Sequence, residues 1–235
     1  MKEIVSLNIG EHGSRVGSQF WRMISAEHGI SDGGQLGCSS QDRVDGIGVF
    51  WTETTRGPGV TFRPRRVDVE ATERLGDTME RIRREVERCD TLQGFQLCHS
   101  MGETRGMLLR DIKEEYPLKI VNAYSIISPK TCVENLTMLS DLKTYCDSVV
   151  LFDDKKIKDI CRNQHMNLES DTCHLIARVI TDVTSVFRFP SPVLSLQIRG
   201  SFLNKCFSSK ILILNSSLSE EFRTVLHSSV LPSRP

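Results

Sequence analysis

Between residues 3 and 190, short β-branched runs alternate with segments of helical period, and this alternation restricts the fold more than any other feature of the chain. The first unit sets the pattern. EIVSLNI (3–9) alternates as a strand does, GEHGSRVG (10–17) follows, and Val16, Phe20 and Ile24 then recur four apart until Gly29, a helix stop. A strand, a glycine turn and a helix aim helix N-terminal amides at a place where an anion can sit, although many α/β proteins use such a turn only for close packing.

The pattern continues. RRVDVEA (65–71) reads as a strand end carrying Asp68 and Glu70. GDTMERIRREVERCD (76–90) reads as a helix with the apolar stripe Met79, Ile82, Val86, Cys89 and a Glu80–Arg84 pair on its wet side. LQGFQLC (92–98), KIVNAYSII (119–127) and DSVVLFDD (147–154) read as strands. GMLLRDIKEEYP (106–117), VENLTMLSDLKTYC (133–146) and KKIKDICRNQ (155–164) read as helices. DTCHLIARVITDVTSVFRFP (171–190) reads as a long helix with Leu175, Val179 and Val183 at steps of four and Pro190 as its stop. Residues 31–66, rich in Gly, Ser, Thr and Arg, read as loops around one short strand, GIGVFWT. Beyond Pro190 only SKILILNSS (209–217) has the look of a strand, and the end reads as a loosely held tail. The expectation is an α/β, Rossmann-like fold with a mainly parallel sheet flanked by helices. Its site lies at the carboxyl ends of the strands, where GEHG, DVE, HSMGETRG and FDD fall.

Bulk properties exclude several classes. Thirty Lys+Arg balance thirty Asp+Glu, so no global field points to nucleic acid or a membrane surface. The local exception is RGPGVTFRPRR, with Arg56, Arg63, Arg65 and Arg66, which reads as a solvated loop. No apolar run approaches the ~18 residues of a membrane span, and the N-terminus lacks a signal peptide's features. The eight cysteines are scattered with no CxxC pair, so reduced thiols in a cytoplasmic protein fit better than a metal site or disulfide framework.

Several stretches also resemble one family in the same order. MKEIVSLNIGEHGSRVG resembles the tubulin N-terminus, CDTLQGFQLCHS resembles CDCLQGFQLTHS, and IKEEYP resembles IREEYP. TYCDSVVLFDDKKIKDIC and DVTSVFRFP are similar to further tubulin stretches, with wording closer to β- than to α-tubulin. The resemblance runs from Met1 to about Leu218. It implies a tubulin nucleotide domain over 1–190, the start of the intermediate domain over 191–218 and a flexible tail over 219–235. It also implies a chain about half the family's length, without the C-terminal helices, and an internal deletion near residue 76 that removes the family's GAGNNWA loop.

The resemblance assigns GTP with Mg2+ as cofactor and places its contacts residue by residue. GQCG of the family becomes Gly10, Glu11, His12, Gly13. Glutamate can ligate a metal ion but donates no hydrogen bond to phosphate, and an unscreened charge ~5 Å from phosphate repels it by roughly 3 kcal/mol. VDLE becomes VDVE, which makes Glu70 the candidate magnesium residue. The phosphate loop HSLGGGTGSGMGTLL becomes HSMGETRGMLL, four residues shorter, with Ser100, Gly102, Thr104 and Gly106 matched and Glu103 and Arg105 in glycine places. The base-reading asparagines become Asp154 and Cys173, and the stacking ring becomes Glu169. Where the family's α-type chains carry the acid that triggers hydrolysis in a neighbour, this chain has Arg199 or Gly200, so no catalytic residue is assigned. The implied role is a cytoskeletal, GTP-binding component of microtubules with a weakened site, its partners being tubulin subunits or tubulin-folding machinery. Two alternatives stand beside it: a nucleotide-independent tubulin-interacting protein, and a non-functional remnant.

Overall fold

A computed structural model describes residues 3–37, 46–56, 59–70, 72–101, 106–127, 132–163, 165, 167, 170–189 and 211–213. Among the described residues, strands β1 (Glu3–Ile9), β2 (Trp51–Arg56), β3 (Gly59–Pro64), β4 (Arg66–Val69), β5 (Leu92–Ser100), β6 (Ile120–Ile127), β7 (Ser148–Asp153) and β8 (Ile211–Ile213) accompany six helices. These are α1 (Gly10–His28), α2 (Leu75–Val86), α3 (Gly106–Glu115), α4 (Cys132–Tyr145), α5 (Asp154–Asn163) and α6 (Ser170–Arg188). The main sheet runs β4-β1-β5-β6-β7-β8, and every neighbouring pair in it is parallel. This is the expected α/β, Rossmann-like arrangement.

Alternation along each strand feeds two apolar layers. Val5, Leu7, Phe95, Leu97, Val121 and Val149 join Met79 and Ile82 of α2, Leu109 and Ile112 of α3, and Leu142 of α4. On the other face Tyr124, Ile126 and Phe152 join Val16, Phe20 and Ile24 of α1 and Ile176, Ala177 and Ile180 of α6. Burial on both faces explains why these strands read as nearly continuous apolar runs. The expected Met79–Ile82 stripe is buried, and the Glu80–Arg84 pair forms at 3.1 Å on the exposed side of α2.

Three expectations need correction. Residues 31–66 are more than loops around one strand: Ile47–Val49 is a 3-10 turn, and β2 and β3 form an antiparallel hairpin. Thr54 and Thr61 face each other across it, with hydroxyl oxygens 2.9 Å apart. A hairpin built from Thr, Glu and Arg lacks the apolar alternation by which a strand is recognised. In α6 the buried face is Cys173, Ile176, Ala177, Ile180, Thr184 and Arg188, while Leu175, Val179 and Val183 flank it half-buried. The offset arises because polar residues on this face are satisfied internally: the Thr184 hydroxyl donates to the Ile180 carbonyl, and Arg188 donates to Glu27 and to the Thr181 carbonyl.

The arginine-rich stretch is not simply solvated. Arg63 pairs with Glu85, Arg66 with Asp68, and Arg65 with Glu3. The last pair is buried, and the second Glu3 oxygen accepts the Thr91 backbone N–H at 2.5 Å, tying the entry of β1 to those of β4 and β5. Removing one partner leaves a buried charge without its counter-ion. Arg65→Ala should therefore lower the unfolding free energy by about 3 kcal/mol, measured by urea denaturation; a loss within the noise would show that the pair is not buried in solution.

Candidate functional site

Helix α1 begins directly at the end of β1, so the GEHG segment forms its first turn rather than a separate loop. Ile9 at the cap position has no polar side chain and makes no capping hydrogen bond to the first-turn amides. They open toward a cleft of about 890 Å³ lined by Gly10, Glu11, Ser14, Asp68, Val69, Glu70, Glu73 and Arg81. Two glycines set the depth of this packing. A Cβ on Gly13 would lie 2.3 Å from the Cys98 carbonyl oxygen, and one on Gly17 would lie 2.3 Å from the Asn8 side chain.

The cleft is rich in carboxylates, and most are already engaged. Glu11 accepts from Arg15 at 2.5 Å, one helical turn on. Asp68 accepts from the Asn8 amide at 2.7 Å and lies 3.3 Å from Arg66. Glu73 holds Arg81 through both oxygens, at 2.9 and 3.1 Å, and accepts the Glu70 backbone N–H at 3.4 Å. Glu70 is exposed and, among the described residues, forms no ion pair. Also among the described residues, no three acidic, His or Cys side chains cluster closely enough to hold a metal ion. A cation here would need oxygens from a ligand to complete its shell.

Outside that cleft, at the carboxyl end of β7, Asp154 opens α5 and is bound by Lys158 at 2.6 Å. Cys173 of α6 is buried, and burial pushes its thiol pKa up, opposed by Arg15, reinforced by Asp154 and opposed again by Lys158. The fold thus brings Glu11, Asp154 and Cys173 into one neighbourhood together with Arg15 and Lys158. Motif matching passes over both cations. Their signal was the four-residue spacing from Glu11 and from Asp154, which places each base one turn from its acid.

Between these two places lies the carboxyl terminus of β5. Ser100 is largely buried there, and His12 of the first turn is exposed. Gly106 starts α3, and a Cβ on it would meet the Asp141 carboxylate at 1.7 Å, so packing against α4 accounts for this glycine without a ligand. Gly102, Glu103, Thr104, Arg105, Glu169, Arg199 and Gly200 lie outside the described residues.

Comparison with known proteins agrees with this geometry. The profile of the Tubulin/FtsZ family, GTPase domain, matches residues 65–162. A tubulin beta chain of Aspergillus fumigatus is 31% identical over 244 aligned residues, which cover 81% of this chain. This chain is a divergent member of the tubulin family. It spans about half the length of that relative, 54%. The tubulin-type segment from β4 to α5 contains Glu70, Ser100, Gly106 and Asp154, while the first turn of α1 lies outside the matched profile.

One titratable group at this edge makes a measurable statement about folding. His99 is fully buried, its Nε2 lies 2.7 Å from the Ser125 hydroxyl, and desolvation lowers its pKa from 6.5 to about 4. Above pH 6.5 it is neutral in both folded and unfolded chains. Below that, the unfolded chain takes up a proton that the folded one resists. Its contribution is complete above pH 6.5 and declines as pH falls toward 4, by up to about 1.4 kcal/mol per pH unit. Denaturation midpoints of wild type and His99→Gln across this window should differ in slope; equal slopes would contradict the assignment.

Proposed function

We propose that this chain is a β-type, tubulin-like cytoskeletal protein of the cytoplasm whose nucleotide site is weakened, most of all at its base-reading end. Residues 1–190 serve as the nucleotide domain, 191–218 as the beginning of an intermediate domain and 219–235 as a flexible tail. The partners are tubulin subunits or the tubulin-folding machinery.

The cleft at the first turn of α1 and the neighbourhood of Asp154 and Cys173 fit GTP with Mg2+ differently. At the phosphate end, the start of α1, which Ile9 does not cap, borders the cleft at Gly10 and Glu11, and the helix dipole favours an anion there. Glu11, Glu70 and Asp68 would hold Mg2+ only together with phosphate oxygens, and the ion would neutralise their charge. Arg15 already screens Glu11, so the repulsion on phosphate is smaller than for an isolated carboxylate.

The base end does not fit guanine. Asp154 is engaged by Lys158, and Cys173 offers a buried thiol in place of an amide. That closed ion pair is the observation carrying the reading of a weakened site. It also favours the second reading, a tubulin-interacting protein that works without nucleotide. With these contacts altered, a nucleotide is held by its phosphates, and ATP competes with GTP.

Equilibrium binding of labelled GTP with Mg2+, against ATP as competitor, tests the proposal. Wild type should show no micromolar, guanine-selective binding, and with Mg2+ chelated Glu11→Gln should tighten whatever binding remains by roughly tenfold through removal of one negative charge. Micromolar guanine-selective binding by wild type would refute a weakened site. Absence of binding together with co-sedimentation with microtubules would favour the second reading.

A further inference from the structure

The main sheet ends at β4, which pairs with β1 on one side and, among the described residues, with no strand on the other. The register with β1 decides which backbone groups that edge offers. Ser6 lies beside Arg66 and donates its N–H to the Arg65 carbonyl at 2.9 Å, so the bonds to β1 fall on Arg65, Val67 and Val69. The N–H and C=O of Arg66 and Asp68 therefore point outward, and no described residue bonds to them. Their side chains alternate in charge and are accessible, at 40% and 44% exposure. They lie 3.3 Å from each other, and Asp68 also accepts from Asn8. A guanidinium with five donors and a carboxylate with two oxygens each have room for a further partner.

We propose that β4 is the contact of a weak two-fold dimer, in which the edge of one copy pairs antiparallel with the same edge of a second and the sheet continues through both. Opposite residues in such a ladder must aim their backbone groups alike, which restricts the position of the axis. An axis at Arg66 sets guanidinium against guanidinium, and Asp68 against Pro64, which has no N–H. An axis at Asp68 sets carboxylate against carboxylate, and Arg66 against Glu70, whose N–H the Glu73 side chain already holds at 3.4 Å. An axis at Val67 sets the Arg66 of each copy against the Asp68 of the other and closes main-chain hydrogen bonds at both pairs. Charges on an edge strand ordinarily keep copies apart, but alternating charges in this register attract. The strand is short, so the contact belongs to the weak, transient class. The two-fold axis uses up the edge, so association stops at two. No ligand enters the contact, and the inference does not rest on the nucleotide reading.

Sedimentation equilibrium of the full chain from about 10 to about 500 µM tests it. Wild type should pass reversibly from monomer toward dimer and no further. Arg66→Glu places a second acid against Asp68, and Asp68→Arg places a second base against Arg66. Each variant alone should dimerise at least about tenfold more weakly. An equimolar mixture of the two should restore the dimer, because each mixed pair again carries opposite charges at both positions. Arg66→Pro removes an N–H that points away from β1, so it should abolish the dimer while circular dichroism stays near wild type. Should Asp68→Arg, which also loses the Asn8 contact, fail to fold, wild type against Arg66→Glu and Arg66→Pro decides. A wild type that stays monomeric throughout overturns the proposal. So does Arg66→Glu or Arg66→Pro dimerising as wild type does, or a mixture of folded charge variants that fails to restore the dimer.

Discussion

The close approach of α1 to the sheet is the constraint on which the site depends. Gly13 and Gly17 let the helix backbone rest on the Cys98 carbonyl and the Asn8 side chain, where a methyl group would collide with both. This contact fixes the first turn of α1 at the carboxyl ends of β1 and β4. The anion-facing amides, the carboxylates of the VDVE stretch and the Asn8–Asp68 hydrogen bond then fall into one cleft. At the far end of the same helix, Glu27 meets the buried Arg188 of α6. The two ends of α1 thus hold the site and the return helix in register.

Charged pairs close two positions of the candidate site. Glu11 and Asp154 each carry a base one helical turn away, and both pairs are closed, at 2.5 and 2.6 Å. A closed acid–base pair offers few free hydrogen-bonding groups to a neutral heterocycle, and opening it gives up its own interaction. A helix N-terminus still favours phosphate wherever backbone donors remain unfilled. Losses of this kind fall on the selectivity for a base more than on the tolerance for an anion.

The strand–helix alternation and the parallel sheet were legible because buried strands and amphipathic helices leave periodic apolar traces, as in EIVSLNI and at Met79 and Ile82. The β2–β3 hairpin was not, since its strands are held by threonine hydroxyls and arginine pairs that carry no apolar period. The true face of α6 was hidden because Thr184 and Arg188 are buried through hydrogen bonds no pattern of hydrophobicity reveals. Of the site, Gly10, Glu11 and Glu70 were legible from motif spacing, and the structure lines one cleft with them. Arg15 and Lys158 were marked only by their four-residue spacing from an acid, and Glu73 and Arg81 became visible only through their contact in space. Gly106 shows the converse: its glycine character has a sufficient cause in the Asp141 contact.

The proposed reading, a phosphate-facing helix terminus without base-reading groups, makes one sharp demand on affinity: the base should add nothing. Isothermal calorimetry with Mg2+ and, in turn, GTP, ATP and inorganic tripolyphosphate measures this directly. The account predicts that the three ligands behave alike to within a few-fold, none of them in the micromolar range. GTP binding about a hundredfold tighter than tripolyphosphate, some 2.7 kcal/mol contributed by the base, would contradict it.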